Sequence, residues 1–250
     1  PMGKSGAGLN PLQKRRRFVG TYLANLGFAE VYNYPFTNQS YIESLGFKGD
    51  RAKTFKIANP MSEEFPVLRT HLLPGLFQTA LRNIGRGQKD VAIFEIGSLF
   101  RNLTPLNKQD AVATSKRPSK DLIAKIYAGV PKQPLMMAGL VAGKLNSDGW
   151  QGSAAPFEWS DAIEIVKVLL TEMGQDFEIL ESDFAPWHPG RCAEFRVNGK
   201  PVAHAGELHP RVVSDLNLPV RSCAFGILLS ELPTSDVLKA TPINAMTPVI

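Results

Sequence analysis

Cys192-Ala193-Glu194-Phe195-Arg196-Val197-Asn198-Gly199-Lys200-Pro201-Val202-Ala203-His204-Ala205 is the stretch on which the fold turns. Two runs of strand-forming residues, Cys192–Val197 and Val202–Ala205, flank Asn198-Gly199. That dipeptide tolerates the positive φ angles of a tight two-residue turn, so the spacing predicts an antiparallel hairpin. Downstream, His209-Pro210 opens a helix to about Leu216, because proline suits the first helical position. Ser222–Leu229 then reads as a buried strand. Upstream, Asp161–Met173 repeats its apolar residues at helical spacing, with Ile165, Val168 and Leu169 inward and Gly174 as the stop. Leu135–Ala142 is apolar throughout and predicts another strand. Hairpin-linked strands, with few long helices between them, point to an α+β domain: a mostly antiparallel sheet with helices packed on it.

The first hundred residues fit the same plan. Phe18, Val19, Tyr22, Leu23 and Leu26 share one helical face, and Gly27 follows as the C′ residue. Val31–Phe36 and Lys53–Ala58 read as strands, and Asn38 as the cap of a short helix ending near Gly46. Pro74 starts a helix whose apolar face is Leu73, Leu76, Phe77, Ala80, Leu81 and Ile84. Gly85 and Gly87 follow that helix instead of opening one, so they end it and do not form a phosphate loop. Val91–Ile96 predicts an apolar strand. Residues 101–134 are polar and weakly periodic, an irregular insertion with room for one helix over Asp121–Tyr127. The expected organisation is a core over 12–232 between two linker remnants, 1–11 and 233–250.

With 250 residues, 44% of them hydrophobic, the chain can bury a sizeable core. Its apolar runs are far too short to cross a bilayer, and Pro1–Asn10 lacks the apolar segment of a signal peptide, so a cytoplasmic location is expected. Cys192 and Cys223 stand far apart and read as small buried hydrophobes. His204 and His209 miss the i, i+4 spacing of a helical zinc pair, so no metal site is expected. Net charge is +5, from 28 basic and 23 acidic residues. Lys14, Arg15, Arg16 and Arg17, together with the Lys116–Lys120 stretch, read chiefly as solvated charge; RNA contact is their weaker reading.

Four ordered segments carry a resemblance. They are Asn59-Pro60-Met61-Ser62-Glu63-Glu64-Phe65-Pro66-Val67-Leu68-Arg69-Thr70-His71-Leu72-Leu73-Pro74-Gly75-Leu76, the strand Asp90–Gly97, His188-Pro189-Gly190-Arg191 with Ala193-Glu194, and Gly206-Glu207-Leu208-His209-Pro210. Together they resemble the bacterial-type phenylalanyl-tRNA synthetase β-subunit family, with weaker similarity over about 12–230. The resemblance implies a class II synthetase-like core without the catalytic residues, a mostly antiparallel sheet flanked by helices. It also implies an α subunit partner that carries the chemistry, an assembly of two α and two β chains, and tRNA(Phe) in the whole enzyme. ATP and magnesium would serve that whole enzyme, with no cofactor in this piece.

Class II chemistry needs cations on the ATP phosphates and a carboxylate that positions the nucleotide. The family pattern for the first pair is aromatic-Arg-any-Glu; in Phe100-Arg101-Asn102-Leu103, Arg101 matches but Leu103 stands where the carboxylate belongs. The second pattern, a Gly-rich turn followed by Glu-Arg, is similar to Ala224–Leu232, where Ser230 and Glu231 replace the pair. A carboxylate there would repel a triphosphate, so these four positions read as a degenerate clamp with no catalytic residue. The helix from Pro74 to Ile84 resembles the part of the fold that forms subunit interfaces. It offers Pro74, Leu76, Gln78 and Arg82 as candidate contacts, with an apolar face expected to be half used by the chain's own core. Two other functions stay open at this point: an active class II adenylating enzyme, should the clamp align otherwise, and a stand-alone RNA-binding module.

Overall fold

A computed structural model describes residues 8–101, 112, 115–146 and 148–234. The helices are α1 (Pro11–Asn25), α2 (Gln39–Ser44), α3 (Leu73–Ile84), α4 (Lys120–Ala128), α5 (Trp159–Glu172) and α6 (Pro210–Asp215). The strands are β1 (Ala29–Glu30), β2 (Phe36–Thr37), β3 (Val67–Leu68), β4 (Val91–Ser98), β5 (Leu135–Ala142), β6 (Glu178–Glu181), β7 (Trp187–Val197), β8 (Lys200–Leu208) and β9 (Cys223–Leu228). Seven strands form one sheet in the order β1-β4-β5-β9-β8-β7-β6, and β2 pairs with β3 apart from it. Only β1 runs parallel to its neighbour; every other pairing in the large sheet is antiparallel. The expected α+β architecture is therefore the observed one.

The hairpin is where the sequence puts it. Asn198 and Gly199 hold φ angles of 51° and 73°, the left-handed pair that a type I′ turn requires. Val197 pairs with Lys200 directly across the turn. Helix starts follow side-chain chemistry. Asn10 accepts from the Gln13 amide at 2.8 Å, Asn38 from Ser40 at 2.9 Å, and Ser119 from Leu122 at 3.2 Å, each satisfying an amide the helix leaves without a partner. α4 is the short helix expected inside the 101–134 insertion, and it buries none of its residues.

Both faces of the sheet are covered. On one lie α1 and α5, which pack Val19, Leu23, Ile165, Val166 and Leu169 against Phe94, Met137, Phe195 and Phe225. On the other lie α2, α3 and α6, which pack Ile42, Leu76, Phe77 and Val212 against Val91, Ile93, Met136, Ala138, Leu140 and Ala224. A strand buried on both sides has no solvated face on which to place polar residues. That is why Leu135–Ala142 is apolar without alternation. Gly139 has no side chain because the Phe225 ring of the neighbouring strand fills the space its Cβ would need.

Two expected strands are corrected. Val31–Phe36 is not one strand: β1 ends at Glu30 and β2 starts at Phe36, with irregular chain between. Pro35 has no amide to give to a ladder, and Asn33 is drawn inward by side-chain bonds. Lys53–Ala58 forms only a single bridge, Lys56 to Val67. Proline at position 60 and the short partner strand leave no room for a longer ladder. The apolar face of α3 is used more than the half expected: Leu73, Pro74, Leu76, Phe77 and Ala80 are buried within this chain, and Leu81 and Ile84 are half-buried.

An ion pair sits where β1, β3, β4 and α3 converge. Arg69 donates to the Glu95 carboxylate at 2.5 Å, and the two side chains are only 9% and 2% exposed. Arg69 Nε also donates to the Ser98 carbonyl at 3.1 Å. Asn33 donates to the other Glu95 oxygen at 2.7 Å and accepts from the Thr79 hydroxyl at 2.7 Å. Two glycines make room: a Cβ at Gly97 would collide with the Arg69 guanidinium, and one at Gly75 would press on Asn33. Removing one partner leaves the other charge buried and uncompensated, which typically costs about 3–5 kcal/mol. Glu95→Leu is therefore expected to lower unfolding free energy by about that amount in urea titration, and Arg69→Met/Glu95→Leu to cost less than the sum of the singles. An additive double variant would mean that the two side chains do not act as a pair.

Candidate functional site

β4 runs out of the sheet at Ser98 and continues through Leu99 to Arg101, whose amide and carbonyl both bond Lys132 at 3.0 Å. Arg101 thus closes the base of the 101–134 insertion. Its Nε donates to the Thr70 carbonyl at 3.3 Å, and its guanidinium lies 3.8 Å from the Asp50 carboxylate. At the far end of the same face, Ser230 accepts from the Leu135 amide at 2.7 Å through its hydroxyl, and its own amide donates to the Leu135 carbonyl. Ser230 therefore extends the β5–β9 pairing. Burial lowers the pKa of Arg101, and the charges of Asp50 and of the exposed Glu231 partly offset that. Leu103 lies outside the described residues. Of the four clamp positions, the fold brings Arg101 and Glu231 into electrostatic range and spends Ser230 on the sheet.

The basic run of α1 divides. Arg15 turns inward and donates to the carbonyls of Leu229, Leu232 and Pro233, tying α1 to the chain beyond β9. Lys14, Arg16 and Arg17 remain exposed. On α3, Pro74 and Leu76 are buried, while Gln78 is half-buried and Arg82 exposed at the flank.

Between Arg101 and β8 lies a cavity of about 260 Å³ that residue-by-residue reading of the sequence did not single out. Its floor is Met136, Gly226 and Leu228 from β5 and the end of β9; its walls include Arg51, His71, Phe184, Trp187 and His204. Arg51 is 5% exposed and lies with its guanidinium carbon 3.5 Å above the Phe184 ring and 4.6 Å from that of Phe47. It donates to the Ala185 carbonyl at 2.8 Å. Phe184 stacks in turn on His204, with centroids 3.8 Å apart and planes 7° from parallel. The Trp187 indole N–H donates to the Ala224 carbonyl at 2.7 Å, fixing the last ring of the stack. Nothing in local spacing flags these residues, which come from a turn at 49–51, the chain before α3, the segment before β7, and the β7–β8 hairpin.

Titration of this wall follows from burial. His204 is pushed down to about 4, chiefly by burial, against the raising effect of Glu194 at 3.1 Å. Burial also holds His71 well below the usual histidine range, and the arginines beside it add to that. Burial pushes Arg51 down to about 10, with Arg101 adding, so it stays charged at neutral pH. Burial raises Glu194, but hydrogen bonds from Arg196 and His204 outweigh it and leave this carboxyl below its ordinary value.

His188 and His209 stand apart from the cavity. His209 caps α6 by accepting from the Arg211 amide at 3.1 Å, the helix-start role expected for it. His188 is part of β7, which begins one residue earlier at Trp187. Cys192 and Cys223 are buried, as expected, and burial pushes both thiols up to about 12.

A histidine whose folded pKa lies below its unfolded value of 6.5 binds its proton more readily in the unfolded chain. Stability is then intact above pH 6.5 and lost as pH falls towards 4. For His204 the shift corresponds to up to about 3 kcal/mol, at about 1.4 kcal/mol per unit; His71 acts in the same direction. The Glu194 contribution is lost lower still, as that carboxylate is protonated. Melting temperature is expected to fall steadily from pH 6.5 to pH 4, and His204→Gln, which keeps a donor for Glu194, to flatten the fall. An equal slope in that variant would clear His204 of the effect.

Comparison with known proteins identifies the kind of chain this is. Residues 1–229 match the family described as phenylalanyl tRNA synthetase beta chain CLM domain. The phenylalanine–tRNA ligase beta subunit of Streptomyces avermitilis is 38% identical over 238 residues, covering 93% of this chain and 29% of the relative. That of Cutibacterium acnes is 39% identical over 234 residues, covering 93% of this chain and 28% of the relative. The chain thus spans under a third of the length of these relatives. Among solved structures, a pyrrolysyl tRNA synthetase from Desulfitobacterium hafniense superposes with a TM-score of 0.57 at 14% identity, over 86% of this chain and 63% of that one. This likeness confirms a synthetase-like fold. By sequence match, the chain belongs to the phenylalanyl-tRNA synthetase β-chain family, in the region of its CLM domain.

Proposed function

We propose that this chain is a non-catalytic, synthetase-like core module of a phenylalanine–tRNA ligase β subunit. Its task is to support assembly with an α subunit in an enzyme of two α and two β chains that charges tRNA(Phe) with ATP and magnesium. The observation that carries the silent reading is the state of the clamp. Arg101 is engaged by the Thr70 carbonyl and faces the charges of Asp50 and Glu231, while Ser230 is committed to strand pairing. A triphosphate carries several negative charges and needs uncompensated cations at both ends. At the clamp positions themselves, one end offers a single, partly neutralised arginine and the other a carboxylate.

Phenylalanine-dependent pyrophosphate exchange by the chain is expected to stay at background. A rate well above it would overturn the silent reading and favour an active adenylating enzyme.

Burial of Pro74 and Leu76 in the chain's own core leaves the flank of α3, at Gln78 and Arg82, as the part of that helix available for assembly. Obligate interfaces bury their centres tightly, so a bulky side chain placed there blocks docking. Gln78→Trp and Arg82→Trp are expected to leave the melting temperature nearly unchanged and to abolish co-purification with the α subunit. Folded variants that still assemble would move the interface to another face.

A further inference from the structure

The cavity beside Arg101 holds more positive charge than the clamp pattern accounts for. Arg51 is 95% buried, yet among the described residues no carboxylate lies within ion-pair distance of it; its partners are one carbonyl and two aromatic rings. A buried cation without a counter-charge is costly, by several kcal/mol when nothing compensates it. His71 adds a second unspent group. Its Nδ1 accepts from the Leu73 amide at 3.2 Å, so the neutral ring carries its proton on Nε2. The ring is 98% buried and lines the cavity, and Nε2 has no protein partner among the described residues. Lys48 and Arg101 stand at the same cavity. Of the acidic groups nearby, Asp50 lines the cavity, half-exposed and 3.8 Å from Arg101, and offsets part of the charge of both arginines; Glu194 is held by His204 and Arg196, and Glu231 acts on Arg101 from the surface.

We infer that this cavity is a binding site for a small oxyanion, a phosphate or carboxylate group, received by Arg51 and Arg101 with the His71 Nε2–H as a neutral donor. Guanidinium groups suit such a group because their paired N–H donors match its oxygens. The rest of the wall is largely apolar, with Met136, Val202, Ala203 and Leu228, and carries one carboxylate, Asp50, against the cations Lys48, Arg51 and Arg101. A volume of about 260 Å³ admits a small molecule with an anionic head and a short apolar body, and is too small for a nucleoside triphosphate. The site differs from the clamp in its central residues: neither Arg51 nor His71 belongs to the clamp pattern, and the inference does not depend on whether the module is catalytically silent.

Calorimetric titration of the full chain with inorganic phosphate and with acetate, at constant ionic strength against chloride, tests this. One saturable site is expected for at least one of them. Phosphate alone would mark a phosphoryl site, acetate alone a carboxylate site, and both a general oxyanion site. Arg51→Met is expected to weaken binding at least tenfold, and Arg101→Met to weaken it less. Loss in Arg51→Met could reflect misfolding, so melting is measured alongside. Deleting an uncompensated buried charge should leave the melting temperature unchanged or higher, and phosphate or acetate should no longer raise it. Absence of saturable binding for both ions, or equal binding by folded Arg51→Met, would overturn the inference.

Discussion

The buried pair Arg69–Glu95 is the constraint around which the fold is arranged. An arginine and a glutamate out of water are tolerable only if nearly every donor and acceptor is met. Meeting them recruits a backbone carbonyl at Ser98, the Asn33 amide and, through it, the Thr79 hydroxyl of α3. One charge pair thereby fixes the loop after β1, the exit of β3, the middle of β4 and the roll of α3. Gly75 and Gly97 follow from it, since a side chain at either would occupy volume that the network already fills. The consequence reaches the cavity. Arg69 accepts from the Phe100 amide through its carbonyl, and its neighbour Thr70 receives Arg101. The strand exit that carries Arg101 is therefore held in place by the pair.

The second organising fact is that the sheet is covered twice. One face meets α1 and α5 and is filled by Phe94, Phe195 and Phe225. The other meets α2, α3 and α6, which cover the sheet near α3 and leave a gap above Met136, Gly226 and Leu228. Into that gap turn the chain at 48–51 and the segment before β7. Small residues in the floor create the depth, as a Cβ at Gly226 would press on the Met136 side chain. The cavity is thus a product of how the layers fail to close, lined by whichever residues the loops deliver.

How much of this was legible depends on whether the cause is local. The Asn198-Gly199 turn, the cap at Asn38, the helix start at Pro74 and the strand at Leu135–Ala142 were all readable, because a backbone conformation or a periodicity declares itself within a few residues. Cys192 and Cys223 were read correctly as buried thiols for the same reason: nothing near them pairs. Val31–Phe36 misled because its composition favours a strand while Asn33 is claimed by Glu95, 62 residues away. Arg51 and His71 gave no sign at all. A Lys-Gly-Asp-Arg turn reads as solvated surface, and only the packing of Phe47 and Phe184 around it turns that arginine into a buried cation. Motif comparison located the stretch holding Arg69, Glu95 and His71, but it assigned them no physical role.

Resemblance to a catalytic fold directs attention to the residues that chemistry would need, and their substitution invites the conclusion that the face is inert. The charges argue otherwise. Burial works against the charge of Arg101, and Asp50 and Glu231 partly offset it. Arg51 is pressed harder: burial first and then the neighbouring guanidinium of Arg101 work against its charge, Asp50 offsets them only in part, and no described carboxylate lies within ion-pair distance of it. If packing were its only service, a neutral side chain of similar volume would fill the same slot between Phe47 and Phe184 without the desolvation penalty. Retaining a cation there is intelligible when something anionic shares the cavity for part of the time. Loss of triphosphate chemistry and possession of an oxyanion pocket are then compatible, because the first needs two distant clamps and the second needs only one buried corner.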